Sequence, residues 1–422
     1  MTPTGAGHRD PTAVERVFRD VYGQAVATLV RVFGDITLAE DTVQDAFVVA
    51  SDRWPTDGIP PNPAGWIITT ARNRAIDVVR RSARGRELHK EFGAAGNPAT
   101  FGNPSPSWEE DGPLNDDQLR LIFTCCHPAL RTEHQVALTL RLLGGLSVAE
   151  VARSFLVSES TTAKRLVRAK YKIKAARIPY RVPADADLPE RLRSVLSVVY
   201  LIYNTGADDA DRTTLRDDAI RLARALVDLM PDEPEAAGLL ALMLLSESRM
   251  PARTDHGAPV RLRDQDRTKW DRTLIKEGHA IVRACIRRDR PGPFQLQAAI
   301  QAVHCNATSF EATDWPQIVT LYDHLFSFLP TPVVALNRAI AIGEVEGPAA
   351  TLAVLDGLAG DLENYHLLHA ARAEMLRRLG DPTAAGAAYE RAAELAVTEA
   401  DRRFLADRLG ELSEYDAPST GD

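Results

Sequence analysis

The chain has 422 residues, of which 45% are hydrophobic and 26% charged, and its formal net charge is −8. No run of residues approaches the roughly 18 consecutive apolar residues of a membrane span, and the N-terminus lacks the basic and apolar segments of a signal peptide. We therefore expect a multi-domain cytoplasmic protein with two or three hydrophobic cores and no membrane contact.

Breaks in the helical pattern divide the chain into consecutive segments. Residues 12–86 have helical periodicity, interrupted in DRWPTDGIPPNPAGW, where the prolines oppose a continuous helix. Residues 87–115 are rich in Gly, Pro, Asn and acidic residues, which indicates a flexible acidic linker. Helical periodicity resumes over 116–178 and, after a short connector, over 190–412. Because no convincing strand pair is present, we predict an all-α protein with two small helical domains and a larger C-terminal one.

Two charged stripes follow one another in the first segment. In LAEDTVQDAFVVASDRW, Asp41 and Asp45 lie one helical turn apart, on the side opposite an apolar face. The stretch NPAGWIITTARNRAIDVVRRSAR then begins a helix with a tryptophan and continues with polar and basic residues beside an apolar face. Basic residues near an aromatic side chain at a helix start suit capture of unstacked single-stranded bases. These residues are Trp66, Arg72, Asn73, Arg74, Arg80 and Arg81.

The stretch LSVAEVARSFLVSESTTAKRLVRAK predicts a helix-turn-helix. Ser147 and Glu150 form a capping box that begins one helix, and Ser158 can cap a second. Leu166, Ala169 and Ile173 form the inward stripe of the second, basic helix, which would read DNA. The residues expected at base edges are Glu159, Ser160, Thr161, Thr162 and Arg165, and those expected on the basic or phosphate side are Lys164, Arg168, Lys170 and Lys172.

Basic residues are concentrated around this motif. From Arg120 to Tyr180 the chain has eleven Lys or Arg and three Asp or Glu, a local charge of about +8. Residues 87–119, by contrast, have one basic and seven acidic residues. A basic module within an acidic chain indicates local contact with a polyanion. A solvated basic helix in an ordinary helical bundle is the alternative interpretation.

The C-terminal segment contains a repeated pattern. PVVALNRAIAIGEVEGPAATLAVLDGL and LLHAARAEMLRRLGDPTAAGAAYERAAEL superpose at an offset of 34 residues, which aligns Ala339 with Ala373 and Leu355 with Tyr389. This period resembles tetratricopeptide repeats, which stack into a concave surface suited to a protein or peptide partner. AIRLARALVDLMPDEPEAAGLLALMLL resembles a further, degenerate unit. The alternative is that the extension only packs against the preceding modules.

The sequence indicates neither an enzyme nor a metal site. The cysteines, Cys125, Cys126, Cys285 and Cys305, include an adjacent pair but no CxxC spacing. We expect Cys125-Cys126-His127 in a buried helical segment, because adjacent residues point to different sides of a helix. The histidines are scattered and no Gly-rich loop follows a strand, so we predict no catalytic residue, no metal and no cofactor.

The motifs LAEDTVQDAF, NPAGWIITTARNRAIDVVRR and LSVAEVARSFLVSESTTAKRLVRAK occur in this order, with a linker before the last. Together they resemble regions 2 and 4 of bacterial RNA polymerase sigma factors of the extracytoplasmic function type, over roughly residues 12–177. The resemblance implies that region 2 docks on the β′ clamp helices of core RNA polymerase and captures the melted minus-ten element. It also implies that region 4 reads the minus-thirty-five element as duplex. The helical extension, with LRLIFTCCHPAL before region 4, resembles a subgroup that has a fused C-terminal repeat domain.

The resemblance also implies roles for individual residues. The polymerase-facing motif is matched by Asp41, Gln44, Asp45 and Phe47. The helix beside the minus-ten element is matched by Asn73, Arg74, Asp77, Arg80 and Arg81, and Trp66 and Arg72 lie on the same helix. The recognition helix is matched by Glu159 to Arg168, with Ser158 at its cap. The expected function is promoter-specific initiation of transcription, with a C-terminal domain that regulates or supports it.

Two other classes of protein remain open. One is a one-component transcriptional regulator that binds an operator through the helix-turn-helix and senses a ligand or protein with its repeats. The other is a repeat scaffold in which the helix-turn-helix is incidental. A one-component regulator has no need of the Asp41 and Asp45 motif, nor of the second basic helix around Arg72 to Arg84.

Overall fold

The computed structural model describes residues 11–91, 114–155, 157–184, 186–207, 213–255, 258–396 and 398–415. The described residues form α-helices apart from turns, two 3₁₀ turns and one short strand pair, which confirms the predicted all-α class. The chain divides into two compact units, Met1–Leu229 and Met230–Asp422. None of the described helices is both long enough and apolar enough to cross a membrane.

The first unit begins with three helices that pack on one another, α1 (Pro11–Phe33), α2 (Ile36–Asp57) and α3 (Pro63–Glu91). Their core contains Tyr22, Phe47 and Ile67, each at most 5% exposed. Asp35 begins α2 by accepting hydrogen bonds from the backbone amides of Thr37 and Leu38. α2 continues past Pro55 to Asp57, further than the prolines of this stretch suggested, because Pro55 lies in the last turn.

Four further helices build the helix-turn-helix and its support: α4 (Leu114–Cys125), α5 (Thr132–Leu142), α6 (Val148–Ser154) and α7 (Glu159–Ala175). The predicted linker falls mostly on residues 92–113, which lie outside the described residues. Gly145, between α5 and α6, has a φ of +75°, and a Cβ there would come within 2.8 Å of the Phe18 ring. This turn therefore requires glycine for both its conformation and its close approach to α1.

The boundary between the two units differs from the one expected at residue 190. Helices α8 (Leu188–Ala207) and α9 (Thr213–Leu229) belong to the first unit and contact α4. Arg191 Nη2 donates to the Phe123 carbonyl at 2.6 Å, and Ser194 Oγ donates to the Cys126 carbonyl at 3.1 Å. These bonds satisfy carbonyls at the end of α4. The proposed degenerate repeat is therefore divided, since α9 lies in the first unit and the helix after it in the second.

The second unit begins with α10 (Pro234–Glu247), α11 (Arg272–Arg288), α12 (Pro293–Asn306) and α13 (Trp315–Phe328). α10 packs against both α11 and α12, and its residues Leu239 to Leu245 are all at most 4% exposed. Between α10 and α11, Thr254–Asp255 (β1) and Ala258–Pro259 (β2) form an antiparallel pair. Two residues per strand are too few to give a periodic pattern, so the sequence does not predict this strand pair.

The 34-residue period corresponds to two successive helix pairs. The first pair is α14 (Pro332–Val345) and α15 (Pro348–Leu358), and the second is α16 (His366–Arg378) and α17 (Pro382–Leu395), followed by α18 (Glu399–Tyr415). Ala339 and its equivalent Ala373 are fully buried. Leu355 and its equivalent Tyr389 are at most 3% exposed. A helical repeat domain is therefore present, as the sequence predicted.

Candidate nucleic-acid interface

The acidic residues of α2 lie on its accessible side. Asp41 is exposed, and partial burial, followed by the neighbouring Glu40 carboxylate, raises the pKa of Asp41. Asp45 is also exposed and forms an ion pair with Arg74 of α3, with 2.7 Å between Oδ2 and Nη1. Gln44 is half-buried and donates from Nε2 to the Tyr22 hydroxyl at 3.4 Å. Asp41 and Asp45 therefore offer two carboxylates to a partner on one side of α2.

Phe47, the fourth residue of the predicted polymerase-binding set, is only 5% exposed. Its ring lies 4.6 Å from that of Phe18 and 6.2 Å from that of Tyr22, measured between centroids. Phe47 is therefore a core residue that fixes α2 on α1, and its side chain offers no contact surface. Contrary to the prediction, Phe47 is therefore not available for direct contact with polymerase.

The predicted minus-ten residues follow one side of α3. Trp66, near the start of the helix, is half-buried and packs edge-on against Trp54, with 5.4 Å between ring centroids. Arg72 and Arg74 are half-buried, whereas residues 77–81, further toward the C-terminal end, are exposed. The exposed members of the set are Asn73, Asp77, Arg80 and Arg81. This surface combines basic side chains with the accessible part of an indole, as binding of a single strand requires.

The helix-turn-helix forms as its capping residues predicted. The Ser147 amide donates to Glu150 Oε2 at 2.7 Å, and the Glu150 amide donates to Ser147 Oγ at 3.1 Å, which completes the capping box of α6. Ser158 caps α7 by accepting a bond from the Thr161 amide at 3.2 Å. Leu166, Ala169 and Ile173 are buried, so α7 presents its opposite side to solvent.

Most residues predicted to contact the minus-thirty-five element are accessible on α7. The exposed ones are Ser158, Glu159, Ser160, Lys164, Arg168 and Lys172, and Thr161 and Arg165 are half-buried. Thr162 differs, because it is 1% exposed and its hydroxyl has no hydrogen-bond partner among the described residues. Thr162 therefore packs inside the motif and is not available to a base edge.

Two exposed apolar residues of α7 were not among the predicted contacts. Val167 is 67% exposed and Tyr171 is 73% exposed, and they lie four residues apart beside Lys164, Arg168 and Lys172. The signal was present in the sequence, because neither residue belongs to the inward stripe that Leu166, Ala169 and Ile173 define. An exposed methyl-bearing side chain and a phenol between basic residues suit contact with thymine methyl groups and phosphates.

Lys170 is not free, because it contacts Glu40 of α2. Arg141 of α5 contacts the same carboxylate, with 2.6 Å between Nε and Oε1, and donates from Nη1 to the Leu146 carbonyl at 2.8 Å. The Glu40 side chain is only 7% exposed, so its charge is compensated by two cations in a largely dry environment. In this conformation Lys170 is therefore not available to a phosphate, contrary to the prediction.

A second polar contact also joins the first three helices to the rest of the unit. Arg31 of α1 forms an ion pair with the buried Asp117 of α4, with 2.7 Å between Nε and Oδ2. The Tyr180 hydroxyl, beyond α7, lies 2.8 Å from the Ala27 carbonyl and 3.0 Å from that of Asp117. Burial, followed by the Asp117 charge, raises the pKa of Tyr180, so its hydroxyl remains a donor. Both helical modules are therefore packed together in this conformation.

Three family profiles match this chain in succession. Sigma-70 region 2 matches residues 17–85, which span most of α1 to α3, and Sigma-70 region 4 matches residues 120–173, which include α6 and most of α7. Residues 191–286 match a family of unknown function, DUF6596, whose span crosses the boundary between the two compact units. Among solved structures, the crystal structure of yeast Tom70 aligns with 96% of this chain and 89% of its own at a TM-score of 0.37 and 10% identity, too low to establish a common fold.

Similar proteins include one that matches nearly the full length. An uncharacterised protein of Rhizobium meliloti (strain 1021) is 41% identical over 396 residues, which are 92% of this chain and 93% of its own. ECF RNA polymerase sigma factor SigL of Mycobacterium tuberculosis is 30% identical over 38% of this chain and 88% of its own. ECF RNA polymerase sigma factor SigK of Mycobacterium ulcerans (strain Agy99) is 28% identical over 38% of this chain and 82% of its own. With both sigma-70 regions in order on the described helices, this chain belongs to the extracytoplasmic function family of RNA polymerase sigma factors.

Proposed function

We propose that this protein binds core RNA polymerase and directs it to specific promoters, and that it catalyses no reaction itself. The observation that carries the proposal is the capped helix-turn-helix, whose α7 exposes Lys164, Arg168 and Lys172, in one chain with the α2 and α3 surfaces. The relatives named ECF RNA polymerase sigma factors match the same part of the chain.

The proposed polymerase contact is the outer side of α2. Asp41 and Asp45 present exposed carboxylates one turn apart, and Gln44 lies between them. Their partner is the β′ clamp, where basic side chains would complement the two charges. Because the Asp45 and Arg74 pair is itself largely exposed, exchanging Arg74 for a polymerase cation costs little stability.

The proposed promoter contacts use two kinds of recognition. The α3 surface, with Trp66, Asn73, Arg80 and Arg81, takes the melted minus-ten strand by stacking and phosphate contacts. The N-terminal part of α7 enters the major groove of the minus-thirty-five element, where Glu159, Ser160, Thr161 and Arg165 meet base edges. Arg168 and Lys172 fix the register by contacting phosphates.

Engagement of both promoter elements requires the first unit to open. The two elements are about 25 base pairs apart, which is about 85 Å of duplex at 3.4 Å per base pair. Helix α7, with 17 residues, is only about 25 Å long. Glu40 of α2 contacts Lys170 of α7, so this contact must break for region 2 and region 4 to separate toward the two elements. We infer that the conformation with this contact is a closed form of the factor.

The second unit has the proposed role of supporting or regulating initiation through a protein or peptide partner. Its paired helices α14 to α17 repeat every 34 residues, and such arrays present extended surfaces to partners. We favour a supporting role, so that loss of the second unit lowers transcription.

Run-off transcription with purified core polymerase tests the proposal. Addition of the full chain should give a discrete transcript from a cognate promoter, and omission of the chain should give none. The comparison with residues 1–229 should show a weaker transcript if the second unit supports initiation, and an equal or stronger one if it inhibits. A chain that binds duplex DNA but does not associate with core polymerase would instead be a one-component regulator.

A further inference from the structure

The second unit contains a cavity of about 330 Å³ beside the short strand pair. One wall follows the chain from the end of α10 through the loop after β2, and the other is the C-terminal half of α12. Its polar lining consists of Arg249, Arg253, Gln265, Gln301 and His304, and Val260 and Leu262 are part of its apolar side. This volume is at the lower end of the range for small-molecule sites.

The charge of the cavity lining is positive. Arg249 and Arg253 line the cavity, and no Asp or Glu occurs among the described residues that do so. Arg253 is exposed, its Nη1 donates to the Met250 sulfur at 3.7 Å, and it forms no ion pair with any described residue. Arg249 donates to the Gln301 side-chain carbonyl, which orients its guanidinium along the α12 wall. An anion in the cavity would therefore meet two guanidinium groups.

Two lining residues also have unused hydrogen-bonding capacity. Gln265 donates from Nε2 to the Val260 carbonyl at 3.1 Å, but its Oε1 is buried without a partner among the described residues. His304 is 8% exposed, and its Nδ1 is likewise buried without a partner in the described part of the chain. Burial, followed by the charges of Arg249 and Arg267, lowers the pKa of His304 to about 3, so its ring is neutral. Buried polar atoms of this kind normally have a partner, and a ligand would supply one.

The residues behind the cavity fix its shape. Arg267 donates from Nη1 to the carbonyls of His304 and Ala307, at 2.9 and 2.8 Å, and so satisfies the C-terminal end of α12. Its guanidinium carbon lies 4.5 Å from the ring centroid of the buried Trp270, and that of Arg249 lies 5.9 Å from the same ring. Both guanidinium groups are therefore held near one indole ring behind the cavity.

We propose that this cavity binds a small oxyanion, a carboxylate or a phosphate, that also carries a hydroxyl or amino group. The oxyanion contacts the guanidinium groups of Arg249 and Arg253, which match its planar or tetrahedral oxygens. The hydroxyl or amino group donates to Gln265 Oε1. Binding connects the loop after β2 with α12, and so makes the second unit sensitive to a metabolite of this class.

Isothermal titration of the full chain with three probes tests this proposal. Citrate presents carboxylates and a hydroxyl, glucose 6-phosphate presents a phosphate and hydroxyls, and glucose is the uncharged control. We expect saturable binding of citrate or of glucose 6-phosphate and no detectable binding of glucose. Whichever anion binds identifies the carboxylate or the phosphate as the recognised group.

Two variants locate the site. Arg253→Gln removes a charge from the cavity without breaking an ion pair among the described residues, and should raise the dissociation constant of the binding anion about tenfold. Arg287→Gln, on the exposed side of α11 and outside the cavity lining, is the matched control and should change it less than twofold. The proposal is overturned if neither anion binds, if glucose binds as well as glucose 6-phosphate, or if both variants weaken binding equally.

Discussion

Lys170 of α7 and Glu40 of α2 form an ion pair that joins the proposed DNA-reading helix to the proposed polymerase-binding helix. Arg141 contacts the other oxygen of the same carboxylate. Glu40 precedes Asp41 directly in the chain, so polymerase bound at Asp41 would lie next to this pair. Binding at the α2 surface can therefore affect the DNA-reading helix α7 through the buried Glu40 carboxylate. This requires that the conformations with and without the ion pair have similar free energies.

Replacing Glu40 by Gln should favour the open form of the first unit. The substitution keeps the shape of the side chain but removes the charge that two cations share, which should destabilise the closed form by about 1.5–3 kcal/mol. Affinity for a minus-thirty-five duplex should rise several-fold, because more of the protein is competent to bind. The measurement is fluorescence energy transfer between dyes at Asp52→Cys and Lys174→Cys, both exposed positions, while the four native cysteines are buried.

The control for this experiment is Asp45→Asn in the same labelled background. It breaks the exposed pair with Arg74, which lies entirely within the first three helices, and should leave the dye separation unchanged. Equal transfer efficiency in wild type and Glu40→Gln would show that this contact does not maintain the closed form.

Charge reversal on α2 should weaken association with core polymerase. Asp41→Arg with Asp45→Arg replaces two exposed carboxylates by cations, and the loss of the pair with Arg74 should cost less than about 1 kcal/mol of stability. Asp52→Arg with Asp57→Arg, two exposed positions near the end of the same helix, is the matched control for charge. A pull-down with core enzyme measures the effect, and full retention of the double variant would place the polymerase contact elsewhere.

The two sides of α7 should respond differently to alanine. Arg165→Ala should lose about 1–3 kcal/mol at the cognate duplex and relax base preference, whereas Lys172→Ala should weaken every sequence alike and reduce the salt slope by about one. Fluorescence anisotropy with cognate and scrambled duplexes at several salt concentrations separates these effects. If both variants lose the same affinity on every duplex, the assignment of base-facing and phosphate-facing residues is incorrect.

The end point of a truncation should decide whether the first unit folds. Residues 1–229 retain α8 and α9, whereas residues 1–180 lose the α8 residues Arg191 and Ser194 that bond the end of α4. α8 also contributes Val195, Leu196, Val199 and Ile202 to the core, and each buried side chain of this size contributes about 1.5–3 kcal/mol. That sum is comparable with the whole stability of a domain. Thermal unfolding should be cooperative for 1–229 and broad or absent for 1–180, and equally sharp transitions would contradict this.

Packing between α14 and α15 can be tested at one glycine. A Cβ at Gly343 would collide with Oγ1 of Thr351, which is fully buried and donates to the Ala339 carbonyl at 3.0 Å. Gly343→Ala should therefore lower the free energy of unfolding by about 1–3 kcal/mol. Gly357→Ala, in α15 with nothing within 4 Å of its Cβ, should raise it by about 0.5–1 kcal/mol. Chemical denaturation measures both, and a neutral Gly343→Ala would mean that the two helices cross less closely.

Local features were predictable because local chemistry determines them. The capping box at Ser147 and Glu150, the cap at Ser158 and the buried stripe of α7 all depend on residues within a few positions of one another. The 34-residue period was equally visible, since each repeat must bury the same small residues, such as Ala339 and Ala373. Assignment of Asp41 and Asp45 to an accessible side followed from helical spacing alone.

Long-range features were not predictable from these patterns. Glu40 meets Arg141 and Lys170 across 101 and 130 residues of chain, and no periodicity connects them. Phe47 was assigned by its place in a motif, whereas its burial depends on Phe18 and Tyr22 of another helix. The position of α8 in the first unit was not predictable, because its amphipathic pattern is like that of the repeats and only its bonds to α4 show where it packs.

The helix pairs α14–α15 and α16–α17 form an array in which each helix packs mainly on the next one, and α18 packs on α17 and also contacts β2. In such an array, stability spreads from neighbour to neighbour, so the last helix protects the one before it from solvent. Leu405 and Leu412 of α18 share a core with Ala385 and Tyr389 of α17. Fraying at the C-terminal end should therefore expose α17 before α15, and amide protons should exchange in that order along the array.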